Sequence, residues 1–119
     1  MQRLTNKEEE VLKILWRLDR AFVREIQAEF KTNPPHYNTL STMVRNLEEK
    51  GYVDYQAFGK THQYFPIVSK EIYRRQFVST ALEEYFSNSY KNLVSTFARE
   101  EKISIQELKE IIDQIEKEK

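Results

Sequence analysis

The 119-residue chain contains no cysteine, which excludes disulfide bonds, thiol catalysis and cysteine-based metal sites. Glycine is almost as scarce, with two residues in all, so no glycine-rich loop is present to cradle a phosphate. The two histidines, His36 and His62, are isolated, and a solvated or locally hydrogen-bonded imidazole explains each better than a metal centre. We therefore expect neither a metal, nor a cofactor, nor an enzymatic activity.

Long hydrophobic runs and an excess of charge of one sign are also absent. No apolar segment reaches the roughly 18 residues of a membrane-spanning helix, and the amino terminus does not resemble a signal peptide. A cytoplasmic protein without membrane insertion is expected. Lysine and arginine balance aspartate and glutamate at 19 each. Nucleic-acid binding would therefore have to depend on the local placement of Arg45, Lys50 and Lys60.

The most informative segment runs from Tyr37 to Gly51. Its apolar residues recur at i, i+3, i+4 and i+7, and this spacing predicts a helix with one buried face. The opposite face collects short polar side chains and one arginine, namely Asn38, Ser41, Thr42, Arg45 and Asn46. Such side chains weaken a helix slightly, yet they let its backbone approach a flat partner and hydrogen-bond to base edges. A solvated surface helix is the alternative, and periodicity alone does not exclude it.

Two further helices are predicted before this segment. Residues 5–8, Thr-Asn-Lys-Glu, match a capping box, and the helix that they open extends to about Leu18. A second helix covers about Val23 to Phe30, and its outer side carries Arg24, Glu25, Gln27 and Glu29. Two prolines, Pro34-Pro35, then separate it from the third helix.

After Gly51 the pattern changes to that of strands. Residues 52–57 and 61–65 are rich in β-favouring side chains, and they predict a hairpin with a glycine in its turn. Helices followed by a hairpin in this order form a winged helix-turn-helix, whose third helix enters the major groove beside the hairpin wing. Lys50, Lys60 and His62 would then reach phosphate. The alternatives are a favourable helix-dipole contact for Lys50 and a solubilising charge on the turn for Lys60.

The carboxy-terminal residues predict helices without a core of their own. Residues 87–89 are of the helix-capping type and break the tract, and Ser104 to Glu107 forms a second capping box. Two such segments that bury their apolar faces against each other in a homodimer would supply a core; folding back on the same chain is the alternative. We expect a mainly α (α+β) fold, with a winged-helix DNA-binding domain over residues 1–68 and a helical dimerisation region over residues 69–119. The predicted dimerisation residues are Tyr73, Phe77, Leu82, Phe86, Tyr90, Leu93, Val94, Phe97, Leu108, Ile111, Ile112 and Ile115.

Several short motifs follow one another at a characteristic spacing: Leu4-Thr5-x-x-Glu8-x-x-Val11-Leu12-x-x-Leu15-Trp16, Val23-Arg24-Glu25-Ile26, Thr39-x-x-Thr42, Leu47-x-x-Lys50-Gly51-Tyr52-Val53 and Tyr64-x-Pro66. None is specific alone, but together they resemble the penicillinase-repressor (BlaI/MecI) family of bacterial transcriptional repressors over nearly the whole chain. The resemblance implies a homodimer whose winged helix binds palindromic operators in double-stranded DNA. It also places five residues where the recognition helix of the family faces DNA, namely Asn38, Thr39, Ser41, Thr42 and Asn46.

The chain departs from the family in three places. The family often has arginine before the leucine of its R-L-x-x-K-G stretch, where this chain has Asn46, with Arg45 one residue earlier. Members that respond to β-lactams are inactivated by cleavage of an Asn-Phe bond, and the similar segment here reads Val94-Ser95-Thr96-Phe97. The copper-responsive branch carries a cysteine-rich tail. Because this chain has no cysteine, that mechanism of copper sensing is excluded.

The sequence therefore predicts a transcriptional repressor, and the family resemblance implies a membrane sensor protease as a partner that would release it from the operator. A winged-helix protein-interaction module without DNA binding is the alternative, and the net charge of zero favours it.

Overall fold

The computed structural model describes residues 2–118, which group into two compact units, residues 2–76 and 77–118. The predicted winged helix-turn-helix of the mainly α (α+β) class is confirmed, with a small antiparallel sheet of strand order β1-β3-β2 among the described residues. In chain order the helices and strands are α1 (Asn6–Leu18), β1 (Ala21–Phe22), α2 (Val23–Ala28), α3 (Tyr37–Glu49), β2 (Val53–Phe58), β3 (Thr61–Pro66), α4 (Lys70–Tyr85), α5 (Tyr90–Arg99) and α6 (Ile105–Glu118).

Helix α1 begins with the predicted capping box. The backbone N–H of Glu8 donates to Thr5 Oγ1 at 3.1 Å, and the backbone N–H of Thr5 donates to Glu8 Oε1 at 2.9 Å. Two backbone N–H groups that a helix start leaves without partners are satisfied in this way. The capping box thereby fixes where α1 begins.

The core of the first unit lies where α1, α2, α3 and the sheet meet. Helix α3 contributes Leu40, Val44 and Leu47, all fully buried, as the spacing predicts, whereas Met43 is half-buried. Each fully buried leucine contributes about 1.5–3 kcal/mol relative to an exposed one. The same burial fixes the rotation of α3, so that its polar side chains point away from the core.

Strand β1 is the element that the sequence did not predict. Ala21 pairs with Tyr64 and Phe22 pairs with Gln63, so this short strand extends the hairpin of β2 and β3. A strand of two residues is too short to show a period of two. The sequence indicated only a break in the helical pattern at this point.

Helix α3 ends close to the predicted glycine. Gly51 has a φ of +86°, a left-handed conformation that side chains with a Cβ adopt only with strain. The backbone N–H of Tyr52 then donates to Leu47 O at 2.9 Å, which closes the end of the helix. Helix α2 ends at Ala28, somewhat before the predicted Phe30.

The first compact unit extends to Gln76, beyond the residue 68 predicted for the end of the winged-helix domain. The reason is Tyr73, whose ring meets Trp16 edge to face at 5.6 Å between centroids and lies 5.8 Å from Tyr52. Its hydroxyl donates to Glu9 Oε2, and Trp16 Nε1 donates to Val68 O at 2.9 Å. The first turns of α4 therefore belong to the winged helix.

The second unit consists of the rest of α4 with α5 and α6. The break predicted at residues 87–89 and the capping box at Ser104 are both confirmed. The backbone N–H of Asn92 donates to Ser89 Oγ at 3.1 Å, and that of Glu107 donates to Ser104 Oγ at 3.1 Å. None of the helices in residues 2–118 is long and apolar enough to cross a bilayer.

Candidate nucleic-acid interface

The outer face of α3 presents polar side chains to solvent. Asn38, Thr39, Thr42 and Arg45 are exposed, whereas Ser41 is half-buried. Thr42 Oγ1 donates to Asn38 O at 3.0 Å, and Arg45 Nε donates to Ser41 O at 3.2 Å. Within residues 2–118 the guanidinium of Arg45 makes no other hydrogen bond, so both Nη groups can still donate. This face offers the donors and acceptors that base edges require.

Asn46 is half-buried, in contrast to the exposed Arg45 before it. The two residues differ by about 100° around the helix axis. Of this pair, Arg45 is therefore the residue that faces outward.

The wing consists of β2, β3 and the turn between them. Lys60 is exposed in that turn, after Gly59 with a φ of +64°. The half-buried His62 stacks on Tyr55, with 4.1 Å between ring centroids and 9° between ring planes. On β3, His62 points to the same side as the buried Tyr64, because side chains two residues apart share a face.

Tyr64 belongs to β3 of the wing, and its side chain is buried in the core. Burial raises the pKa of its hydroxyl, the carboxylate of Glu48 raises it further, and the guanidinium of Arg45 opposes this effect. The hydroxyl of Tyr64 therefore stays neutral at physiological pH. Arg45 and Glu48 of α3 are thus electrostatic neighbours of this wing residue.

The ammonium group of Lys50 contacts other residues of the chain. Its Nζ lies 2.7 Å from Glu8 Oε1 and donates to Arg3 O at 3.1 Å, and its side chain is only 21 % exposed. The ammonium thus ties the end of α3 to the start of α1. The phosphate contact predicted for Lys50 has no support in this geometry, so we leave Lys50 out of the proposed interface.

Arg24 was not among the predicted DNA-binding residues. Its guanidinium carbon lies 5.0 Å from the centroid of the Tyr37 ring, at the first residue of α3. The sequence placed Arg24 only on the outer side of α2. The helix-turn-helix order was the available signal, since it brings α2 next to the start of the recognition helix.

The predicted dimerisation residues fall into three groups. Tyr73 packs inside the first unit, and Leu82 is buried within the second. Phe86, Leu93 and Leu108 are half-buried. The others are exposed, namely Phe77, Tyr90, Val94, Phe97, Ile111, Ile112 and Ile115.

No group of three or more His, Cys, Asp or Glu side chains in the described part of the chain could hold a metal ion. His36 is the residue before α3, and its side chain does not cap the helix. His62 is the residue that stacks on the wing tyrosine.

A buried α1–α2–α3 core, a hairpin wing and an exposed polar third helix define a winged-helix protein of the helix-turn-helix class. The family model described as the penicillinase repressor matches residues 4–117. The chain belongs to the penicillinase repressor family. It is therefore a DNA-binding transcriptional repressor and not an enzyme.

Individual relatives are similar over most of their length. The methicillin resistance regulatory protein MecI of Staphylococcus aureus (strain N315) is 24% identical over 112 residues, which cover 91% of this chain and 89% of MecI. The penicillinase repressor of Bacillus licheniformis is 23% identical over 118 residues, covering 98% of this chain and 92% of that protein.

A similar solved structure is that of an hsRosR-S4 complex, with a TM-score of 0.55 and 16% identity. The match covers 84% of this chain and 90% of that one. This likeness shows the fold alone.

Proposed function

We propose that the chain binds palindromic operators as a homodimer, with α3 in the major groove and the wing beside the DNA backbone. The observation that carries the proposal is the exposed polar face of α3, where Asn38, Thr39, Thr42 and Arg45 lie on one side of a helix whose other side is buried. A helix that is anchored in this way can enter the major groove without loss of its own core contacts.

The net charge of zero is compatible with DNA binding because the cations that pair with carboxylates are not those of the proposed interface. Glu8 pairs with Lys50, Glu9 pairs with Lys13 at 3.3 Å, and Glu29 lies 3.8 Å from Arg17. In contrast, the cations of α2, α3 and the wing have no carboxylate partner within 4.0 Å among residues 2–118, namely Arg24, Arg45 and Lys60. These three charges remain available to neutralise phosphate.

The homodimer is supported by the apolar surface of the second unit. Phe77, Tyr90 and Phe97 are exposed there, as are the three isoleucines that α6 carries on one face, Ile111, Ile112 and Ile115. Monomeric soluble proteins seldom expose apolar patches of large size. A dimer formed in this way carries two copies of α3, the number that a two-fold symmetric site requires.

Release by a membrane sensor protease is part of the same proposal, and it is supported by the family to which the chain belongs. The bond that corresponds to the Asn-Phe cleavage site of the family, Thr96-Phe97, lacks the asparagine and lies within α5, where Thr96 Oγ1 donates to Asn92 O at 2.8 Å. A protease would have to unwind α5 locally to reach this bond. The exposed ring of Phe97 supports access to the segment.

The proposal is tested by selection of binding sites from a random duplex library with the full-length chain. We expect a palindromic site whose half-sites are separated by one helical turn, roughly 34–36 Å, or a multiple of it. Sedimentation of the chain at the same concentration should show a dimer. An asymmetric site would contradict the two-fold arrangement, whereas the absence of any salt-dependent binding would support the winged-helix protein-interaction module instead.

Replacement of Lys60 by alanine should make binding to the selected operator less sensitive to salt. If Lys60 contacts one phosphate, the slope of log K against log salt concentration becomes shallower by about 0.9. Lys13→Ala is the matched control, because Lys13 is an exposed lysine that already pairs with Glu9 on α1. Equal slopes for the wild-type chain and Lys60→Ala would show that Lys60 does not contact DNA.

A further inference from the structure

Arg24 and Tyr37 form a cation–π pair at the amino end of α3. Arg24 lies in the first turn of α2, Tyr37 is the first residue of α3, and the guanidinium carbon is 5.0 Å from the ring centroid. Arg24 is exposed, and Tyr37 is 38 % exposed. The pair therefore lies at the surface, where a partner can reach the guanidinium.

The two helices that carry the pair are held together close to it. Gln27 Nε2 donates to Pro35 O at 3.0 Å, which ties α2 to the segment that enters α3. The buried side chains of Ile26 and Leu40 belong to the same core. Arg24 therefore has a defined position relative to the recognition helix.

The contact with the ring uses none of the five N–H donors of the guanidinium in a conventional hydrogen bond. Within residues 2–118 Arg24 makes no hydrogen bond or ion pair. A planar arginine fork held in one orientation matches two oxygens of a phosphate, and less conformational entropy is lost on binding. The pair is thus preorganised for an oxyanion.

We propose that Arg24, stacked on Tyr37, donates to a backbone phosphate of the operator at the amino end of α3. This inference rests on the proposed function, in which α3 is the recognition helix. The amino-terminal residues of such a helix contact base edges, so a group beside its first residue lies near the phosphates that border the groove. Arg24 then fixes the register of α3, whereas α3 itself reads the bases.

A second arginine provides a matched control. The guanidinium carbon of Arg20 lies 4.5 Å from the centroid of the Phe65 ring, in a similar stack. Phe65 follows the buried Tyr64 on β3 and so points away from the core side on which α3 packs. Arg20 and Arg24 thus each place a guanidinium group over an aromatic ring, but they lie on different faces of the winged helix.

The test is a titration of the selected operator with full-length Arg24→Gln and Arg20→Gln at several salt concentrations. We expect Arg24→Gln to bind roughly tenfold more weakly, as for the loss of one charge-assisted hydrogen bond, with a salt slope shallower by about 0.9. Arg20→Gln should bind within about twofold of the wild-type chain, because the contacts that it removes, with the Phe65 ring and Gln56 Oε1, lie within the chain and not to DNA. Equal losses for both variants, or no loss for Arg24→Gln, would overturn the proposal.

Substitutions of Tyr37 test separately whether its ring positions Arg24. Tyr37→Leu should weaken binding by roughly threefold while the salt slope stays unchanged, because the charge of Arg24 remains but its orientation is lost. Tyr37→Phe should restore most of this affinity, since it restores the ring. A Tyr37→Leu variant with wild-type affinity would show that the ring does not position Arg24.

The α3 variant Ser41→Ala/Thr42→Ala/Arg45→Ala separates the two proposals. If the α3 variant no longer binds the operator and Arg24→Gln binds it as the wild-type chain does, the phosphate contact of Arg24 is refuted. The assignment of α3 as the recognition helix is then retained. If that variant keeps the operator, α3 is not the reader and the proposed function fails. Thermal unfolding of each variant verifies that an affinity loss does not reflect unfolding.

Discussion

Simultaneous replacement of Ser41, Thr42 and Arg45 by alanine should weaken operator binding at least a hundredfold while the chain stays folded. A good contact between a side chain and a base edge contributes about 1–3 kcal/mol of discrimination, and a hundredfold loss corresponds to about 2.7 kcal/mol. Two contacts of average size, about 2 kcal/mol each, already exceed this value. Fluorescence anisotropy at one fixed salt concentration measures it.

The fold should tolerate these changes. Thr42 and Arg45 are exposed and Ser41 is half-buried, and alanine has the highest helix propensity. A suitable control is the α1 variant Lys7→Ala/Glu10→Ala/Lys13→Ala, in which three exposed side chains are removed and the net charge falls by the same single unit. A wild-type affinity of the α3 variant would contradict the assignment of α3 as the reader.

The position of the arginine on α3 bears on specificity. In the family pattern the arginine often occupies the place of Asn46, whereas here it is Arg45. The structure leaves Arg45 exposed and Asn46 half-buried, about 100° apart around the helix. If α3 enters the major groove as proposed, an arginine displaced by this angle addresses a different part of that groove. We therefore expect the operator of this repressor to differ from those of its relatives at the base pairs that Arg45 approaches.

Local patterns were sufficient to predict most of the fold. The capping boxes at Thr5 and Ser104 fix where α1 and α6 begin, and the buried spacing of α3 fixes which of its faces is polar. These features depend on residues within a few positions of one another. They are therefore visible in the sequence without knowledge of the tertiary structure.

Contacts between residues far apart in the chain were not predictable in this way. Lys50 matched the pattern of a phosphate-binding lysine, but it pairs with Glu8, 42 residues earlier. Tyr73 matched an apolar dimer face, but it packs on Trp16. The stack of Arg24 on Tyr37 likewise depends on how α2 meets α3. In each case a tertiary partner that the local pattern does not specify determines the role of the side chain.

Glu8 holds one of these long-range contacts, and its replacement by alanine should lower the free energy of unfolding by about 3 kcal/mol. Glu8 is 3 % exposed, and no other charged residue among residues 2–118 is buried. Glu8→Ala would leave the Lys50 ammonium with Arg3 O and without its carboxylate, and would break the capping box with Thr5. Loss of one partner of a buried pair costs about 3–5 kcal/mol, and we expect the lower end because Lys50 remains partly exposed.

Urea unfolding at pH 7 measures this change, and Glu10→Ala is the control. Glu10 lies in the same part of α1 but is exposed, so its replacement should change the free energy of unfolding by no more than about 0.5 kcal/mol. Similar small effects of both variants would show that the contact between Glu8 and Lys50 adds little to stability.

The pH dependence of unfolding provides a second measurement of the same contact. Burial alone would raise the pKa of Glu8, but the hydrogen bonds from Lys50 and Thr5 outweigh it, and the pKa is lowered from its ordinary value of 4.5. Because the pKa is lower in the folded state, the stabilisation is fully present above pH 4.5 and is lost as the pH falls through the folded-state pKa. The double variant Glu8→Gln/Lys50→Met removes both charges, so its stability should decline less steeply than that of the wild-type chain below this pH. Parallel declines of the two proteins would mean that other carboxylates dominate acid unfolding and that the Glu8–Lys50 contact does not.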